Sequence, residues 1–504
     1  MNRLCPVCKK RPLIGKQRAA CSSACRSAKY RKDHQSVKRV VRSRGPERTP
    51  AETVAEWART HGDGLIGAVG ELPALTCRAT PDMREQVLAQ APQGAIGYRL
   101  VLPFEDHSLP LIAMQFAMVG GSSQDPEDKP GVANFLTAMM DEGAGDMTAE
   151  AFQAAEEELA MKMSFDAGRD SFSGSFQTLT ENRVKATDLL ALALTRPRFD
   201  QDAIDRMRRQ LQAGIAFDMK DPDKVANETW YRIAFPNHPY GRPTSGTIES
   251  VGKITAADLE GYRRRVFAKD NLLVSIVGDI SAAEVGELLD KVFGGLPATS
   301  ELRPVAEAAP QGGPRQEVVT MEVPQSVVQF GNGAIPRKDD DYIAAFILNY
   351  ILGGGGFSSR LMEEVREKRG LAYSVYTYLQ SYKNASVYLG GVATKNDAVK
   401  ASLEVIRKEL ERMATEGPTD EELKDAKSYL TGSYALRFDS SSKIASQLLG
   451  IQIEDLGIDY VDKRNALVEK VTIDDIRRVA KRVLQPGNLI VTIVGKPEGL
   501  ATGG

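Results

Sequence analysis

Two blocks of sequence recur in this chain at one fixed spacing, and the recurrence limits the possible folds more than any other feature. Ile254-Thr255-Ala256-Ala257-Asp258-Leu259 returns as Val471-Thr472-Ile473-Asp474-Asp475-Ile476. Asn271-Leu272-Leu273-Val274-Ser275-Ile276-Val277-Gly278 returns as Asn488-Leu489-Ile490-Val491-Thr492-Ile493-Val494-Gly495. Both recurrences are offset by 217 residues. In each copy a Thr stands three residues before an Asp, a spacing that lets the two side chains cap a helix reciprocally. The helix feeds an apolar, β-branched run suited to a buried strand. A period this long is no solenoid. It requires an α+β fold with two homologous α/β domains in tandem, at 98–300 and 316–497. The linker at 301–315 contains Arg303–Arg315, RPVAEAAPQGGPR, which reads as an exposed connector.

The first domain has long, clean patterns. Tyr98–Pro103 and Leu111–Val119 read as strands around the turn Glu105–Pro110. Helical periodicity follows at 131–141 and 148–160, then strands within 161–177 and helices at 180–194, 200–219 and 223–234. Phe235–Gly241 is a turn-rich loop. A helix at 256–267 leads into the strand Asn271–Val277 and a helix at 281–293.

In the second domain the informative stretch is Leu352–Leu379, LGGGGFSSRLMEEVREKRGLAYSVYTYL. Gly353, Gly354, Gly355 and Gly356 read as a loop with little bulk, open to close approach by a ligand. Ser358 or Ser359 suits the N-cap of a helix that buries Leu361, Met362 and Val365, with Arg366 beside them. Gly370 is placed to end that helix in a left-handed cap. A strand follows, with Tyr373, Val375, Thr377 and Leu379 on one face and Ser374, Tyr376 and Tyr378 on the other. Ser381–Asn384 turns it back into a partner strand, Ala385–Thr394. Arg366 and Tyr373 then flank one tight turn, where a guanidinium and a phenol could both donate to a carbonyl oxygen gaining charge. Taken alone, the two read rather as a solvated helix residue and an ordinary strand aromatic.

That stretch resembles the second-half signature of the M16 metallopeptidases, the family of pitrilysin, insulinase and mitochondrial processing peptidase. The resemblance runs over roughly residues 98–497, and in it an Arg and a Tyr seven residues apart bind the substrate near the scissile bond. Members that cleave peptides carry His-x-x-Glu-His on a first-half helix, with two zinc-binding histidines and a general base. Here the matching segment is Pro130–Met139. The histidine positions hold Asn134 and Ala138, the base position holds Thr137, and the third ligand falls at Gly214. All four groups are missing. His34, His61, His107 and His238 are scattered, and His238 lies in the His-Pro-Tyr-Gly loop expected of the family. Asp141 and Glu142 read as a solvated helix end.

The resemblance implies a pseudopeptidase, the non-catalytic, substrate-binding subunit of a heteromeric M16B-type zinc metallopeptidase. Its heterodimer partner would bear His-x-x-Glu-His and the catalytic zinc, while this chain supplies Arg366 and Tyr373 to a peptide substrate. The peptide would pair with a first-half strand such as Leu111–Val119. The alternative within the family is a structural or peptide-holding protein without a catalytic role.

The net charge of −2 conceals an asymmetry. Residues 1–50 hold 15 Lys and Arg against only Asp33 and Glu47, so this segment carries +13 and the remainder −15. Cys5, Cys8, Cys21 and Cys25 form two close pairs, the layout of a small zinc ribbon over residues 1–45 with a structural zinc. A disulfide pairing competes with that reading. The segment Cys21–Arg26 is similar to the second pair of short bacterial zinc ribbons. The basic tail through Arg48 suits phosphate contacts, which makes a nucleic-acid-associated protein the second alternative, although Tyr30 alone offers a stacking surface. Residues 46–97 read as a linker or appendage, and Cys77 as an inert thiol. No apolar run reaches the ~20 residues of a membrane span. No export signal opens the chain as written, so the expected compartment is the cytoplasm. The alternative is the periplasm, as for exported relatives of the large portion.

Overall fold

The computed structural model describes residues 100–500, Ile458 excepted. Cys5, Cys8, Cys21, Cys25, Cys77 and the whole of 1–97 lie outside the described residues.

In the first half, β1 (Leu100–Glu105) and β2 (Leu111–Val119) precede α1 (Val132–Thr137) and α2 (Ala149–Glu158). The hairpin β3 (Lys162–Ala167) and β4 (Ser171–Leu179) follows. Helices α3 (Arg183–Thr195), α4 (Gln201–Asp218), α5 (Pro222–Ala234), α6 (Ile248–Lys253) and α7 (Ala256–Val266) lead to β5 (Leu272–Gly278) and α8 (Ala282–Phe293). The second half runs β6 (Arg315–Thr320), β7 (Gln325–Gly333), α9 (Tyr342–Asn349), β8 (Ala372–Ser381) and β9 (Ser386–Lys395). It closes with α10 (Val399–Glu416), α11 (Asp420–Gly432), α12 (Ser441–Ile453), α13 (Tyr460–Lys470), α14 (Ile473–Val483) and β10 (Ile490–Gly495).

The two sheets match strand for strand, in the orders β1-β5-β2-β4-β3 and β6-β10-β7-β9-β8. Each begins with a parallel pair and continues antiparallel. The recurring sequence blocks are α7–β5 and α14–β10. Both helices open with the expected reciprocal cap, Asp258 N–H to Thr255 Oγ1 at 3.4 Å and Asp475 N–H to Thr472 Oγ1 at 3.2 Å. A further echo lies in the cross-strand pairs Phe116–Gly174 and Phe330–Gly390. A Cβ on Gly174 would come 2.2 Å from the Phe116 ring, and one on Gly390 2.3 Å from the Phe330 ring. Each glycine leaves the space its ring occupies.

The halves cover one another's sheets. Helix α5 packs on β7 and β10, and α12 packs on β2 and β5. The buried Trp230 on α5 donates its indole N–H to Ile490 O at 3.1 Å, and Gln452 on α12 donates to Val274 O at 2.9 Å. With helices on both faces, β5 and β10 are buried throughout and show no alternation.

Several expectations need correction. The helix read at 131–141 stops at Thr137, after which i→i+3 bonds from Ala138 and Met139 tighten the chain. Thr137 Oγ1 itself donates to Asn134 O at 2.7 Å. The connector 303–315 is not merely exposed. Arg303 and Gln124 exchange two hydrogen bonds, Ala308 N–H donates to Asn384 O, and Gln311 N–H donates to Ala234 O, so it straps both halves. Strand β2 lies between β5 and β4, with both edges paired. A substrate peptide therefore has no free edge on Leu111–Val119, and the outer strands of the first sheet are β1 and β3. Among the described residues no helix is long and apolar enough to cross a membrane.

Candidate substrate-binding site

After α9 the chain runs directly into a π-helical turn, Tyr350–Gly354. Gly353 and Gly354 therefore belong to a helical turn and not to an open loop. The close approach that glycine permits is intramolecular: a Cβ on Gly353 would lie 2.4 Å from Thr377 Oγ1 and 2.7 Å from Thr377 N on β8. Thr377 Oγ1 donates to Asn349 Oδ1 at 2.8 Å, fastening the helix end to that strand. Gly355 would press a Cβ on Tyr350 O at 2.7 Å, while Gly356 takes a left-handed φ of +60° in open space. Ser359 does not cap with its side chain, because its Oγ donates back to Gly356 O at 2.7 Å.

A second π-helical turn, Met362–Glu367, buries Leu361, Met362 and Val365 as expected. Turns of this kind are uncommon and gather at functional sites. Gly370 ends it at φ +60°, with Gly370 N–H on Arg366 O at 2.8 Å and Leu371 N–H on Val365 O at 2.9 Å.

Beyond that cap the pleat is broken. Ala372 pairs with Thr394 and Ser374 with Ala393, so Tyr373 has no ladder partner and forms a β-bulge. Ala372 and Val375 point inward, and Tyr373 is 78% exposed. The alternation that placed Tyr373 on the face of Val375 fails at this residue. A bulge re-aims its side chain away from the core.

The re-aimed phenol meets Arg366. The guanidinium carbon lies 4.8 Å from the Tyr373 ring centre and 4.6 Å from that of Phe357. Arg366 Nε is 3.4 Å from Glu367 Oε1, and its buried Nη1 has no hydrogen-bond partner. Two ring faces thus steady the guanidinium while one donor stays unused. Phe357 is 71% exposed and was not anticipated. Its place in the sequence, an aromatic after four glycines, carries no local sign of that contact. The trio presents a charged donor, a phenol O–H and an apolar ring side by side.

The positions that resemble a metal site are differently built. Asn134 and Thr137 sit on α1 and Ala138 just past its end, and Gly214 is exposed on α4, where an added Cβ would meet nothing within 4 Å. The start of α1 is held by Asp125, whose carboxylate accepts from Gly131 N at 2.7 Å and Ala133 N at 2.9 Å. Burial pushes the Asp125 carboxyl up to about 7, against those donors and against Arg242 and Arg265. Glu142 is no solvated helix end, being buried and ion-paired with Arg206. Burial raises the Asp141 carboxyl, and burial together with Asp141 raises Glu156 to about 7.

The two described histidines, His107 and His238, serve elsewhere. His238 Nδ1 accepts from Tyr240 N at 3.2 Å and its Nε2 faces Ala306 O at 3.1 Å, a loop-closing role. His107 bridges Asp279 and Glu105, whose hydrogen bonds raise its pKa. Among the described residues no group of three His, Cys, Asp or Glu is placed to hold a metal ion. Ala and Gly carry no donor atom, so this set does not fit a catalytic zinc.

Two family models match the chain. One, described as insulinase (peptidase family M16), matches residues 109–248, and the other, peptidase M16 inactive domain, matches 253–430. The second takes in α7, β5 and α8, which complete the first sheet. The non-peptidase homologue YmxG of Helicobacter pylori is 27% identical over 393 residues, covering 77% of this chain and 90% of its own. An uncharacterised zinc protease of Streptomyces coelicolor is 27% identical, with 73% and 81% covered. Among solved structures, a peptidase M16 inactive domain from Pseudomonas fluorescens has a TM-score of 0.75 at 27% identity, with 81% and 97% covered. A protease from Helicobacter pylori has a TM-score of 0.72 at 20% identity, a likeness of fold alone, with 79% and 96% covered.

Proposed function

The chain belongs to the M16 peptidase family, and on that premise we propose that it is the non-catalytic, substrate-binding member of a two-chain M16 peptidase. The observation that carries this reading is Arg366, held against the rings of Phe357 and Tyr373 with Nη1 unpaired, in a chain whose metal-site positions hold Asn134, Thr137, Ala138 and Gly214. A partner chain bearing His-x-x-Glu-His supplies the zinc and the general base. This chain supplies Arg366 N–H and Tyr373 O–H to the substrate carbonyl and to the oxyanion it becomes. Donors placed where charge develops lower the barrier, and loss of one costs on the order of 10²–10³ in rate. The peptide backbone pairs with an outer strand, for which β3 has a free edge in the first sheet.

The test is co-expression with a His-x-x-Glu-His-bearing M16 chain, followed by peptide cleavage assays of wild type, Arg366→Ala and Tyr373→Phe. Unchanged turnover in both variants would refute the assignment. A peptide-holding role without catalysis is the second reading, favoured by the relative named a non-peptidase homologue. Peptide binding that persists with no partner-dependent cleavage would establish it.

The basic segment 1–50 carries a separate part of the proposal. Cys5, Cys8, Cys21 and Cys25 hold a structural zinc, and the basic tail makes phosphate contacts with nucleic acid. Zinc content lost on Cys5→Ser, and nucleic-acid binding that weakens steeply with salt, are the corresponding measurements. Reduced thiols in this segment favour the cytoplasm over the periplasm.

A further inference from the structure

The second half carries a half-open cavity of about 250 Å³, lined mainly from α9, α12 and α13. Its lining includes three guanidiniums, Arg337, Arg437 and Arg464, and one carboxylate, Glu454. Among the described residues, none of the three arginines has a carboxylate within ion-pairing distance. Arg464 is the most constrained, at 4% exposure. Its Nη1 donates to Leu430 O at 2.5 Å and to Asn465 Oδ1 at 3.0 Å, both neutral acceptors. Burial, with Arg437 nearby, lowers its pKa, the direction expected of a cation lacking a counter-charge.

The guanidiniums are also oriented. Arg337 stacks on Tyr342, with 4.3 Å from its central carbon to the ring centre, and on Tyr460 at 5.2 Å. Arg464 stacks on Tyr434 at 4.6 Å and on Phe346 at 5.8 Å. Arg337 Nη2 donates to Tyr460 OH at 2.9 Å. Stacking engages the faces of a guanidinium and leaves its N–H edge for a planar or tetrahedral oxyanion. Glu454 offsets one positive charge of three, and burial raises its own pKa, weakening it as a counter-ion. A buried cation without a partner is costly, and an anion entering the cavity removes that cost.

We propose that this cavity binds a small oxyanion, carboxylate or phosphate, between Arg464 and Arg337, with the exposed Arg437 at its mouth. The oxyanion belongs either to a free small acid or to the C-terminal carboxylate of a peptide. This site is independent of Arg366, and its test involves no cleavage. The full chain is titrated calorimetrically at physiological salt with inorganic phosphate, with citrate, and with one tetrapeptide as free acid and as amide. Because Arg464 also ties down Leu430, the variants are Arg437→Ala and Arg337→Gln, checked for native circular dichroism. Saturable binding of at least one probe, weakened about ten-fold or more in both variants, is the expected result. Binding of the free-acid peptide and not the amide identifies a peptide terminus as the source, while binding of citrate or phosphate alone identifies a small acid. No saturable binding by any probe, or equal affinity in wild type and both variants, overturns the proposal.

Discussion

Arg366 and Tyr373 face each other across the left-handed cap at Gly370, with the guanidinium carbon 4.8 Å from the phenol ring centre. The contact depends on a register shift. Regular pleating would have turned Tyr373 inward beside Val375, and the bulge between Ala372 and Ser374 turns it out to Arg366 instead. The ring centre of Phe357 lies 4.6 Å from the same guanidinium carbon.

Phe357→Ala removes one of the two rings holding Arg366. An exposed cation–π contact is worth about 0.5–1 kcal/mol, so peptide affinity falls several-fold while thermal stability is little changed. Fluorescence anisotropy with a labelled peptide reads this directly. Equal affinity in wild type and variant would mean the ring does not position the guanidinium.

Gly353→Ala and Gly356→Ala separate two reasons for glycine in one tetrad. At 353 the new methyl meets the Thr377 backbone, and overpacking of this kind costs about 1–3 kcal/mol. At 356 there is open space, and only the left-handed backbone is penalised, by about 1 kcal/mol. Urea denaturation should rank Gly353→Ala as the more destabilised. The reverse order would place the crowding elsewhere.

Trp230→Ala removes a fully buried indole and its hydrogen bond to Ile490, both on the contact between the halves. The expected loss is about 3–5 kcal/mol. It falls on the coupling between halves, so calorimetric unfolding should lose cooperativity as well as shift down. A single sharp transition at the wild-type temperature would contradict the helix exchange as a source of stability.

Asp125 gives the pH prediction. Folding raises its carboxyl from an ordinary 3.8 to about 7, chiefly by burial, so the folded state favours the neutral acid. A raised folded-state value contributes stability that is complete below about pH 4 and is lost as pH rises through about 7. The stability of wild type relative to Asp125→Asn should therefore decline across that window, by on the order of a few kcal/mol. Denaturant midpoints measured at intervals of pH supply the comparison, and a difference that stays flat would sink the assignment.

The parts of this molecule legible in its sequence share one property, which is that they rest on neighbours in the chain. The reciprocal caps Thr255–Asp258 and Thr472–Asp475 satisfy backbone donors three residues away, so their spacing was enough to find them. Gly370 was legible for the same reason, since its left-handed φ closes bonds from Gly370 N–H to Arg366 O and from Leu371 N–H to Val365 O. Phe357 was not, because nothing local distinguishes a ring that grips an arginine from one that packs a core.

By itself the sequence determined the duplication, most of the strands and helices of the first copy, and the absence of donor atoms at Ala138 and Gly214. No arrangement of the backbone can give those two side chains a ligand atom, so that conclusion needed no coordinates. Tertiary structure alone decided the exchange of α5 and α12 between sheets, the enclosure of β2, the contact of Gly353 with Thr377 and the outward turn of Tyr373. Each depends on which strand lies alongside which, and such pairings join residues far apart in sequence through backbone hydrogen bonds that every residue type makes almost equally well.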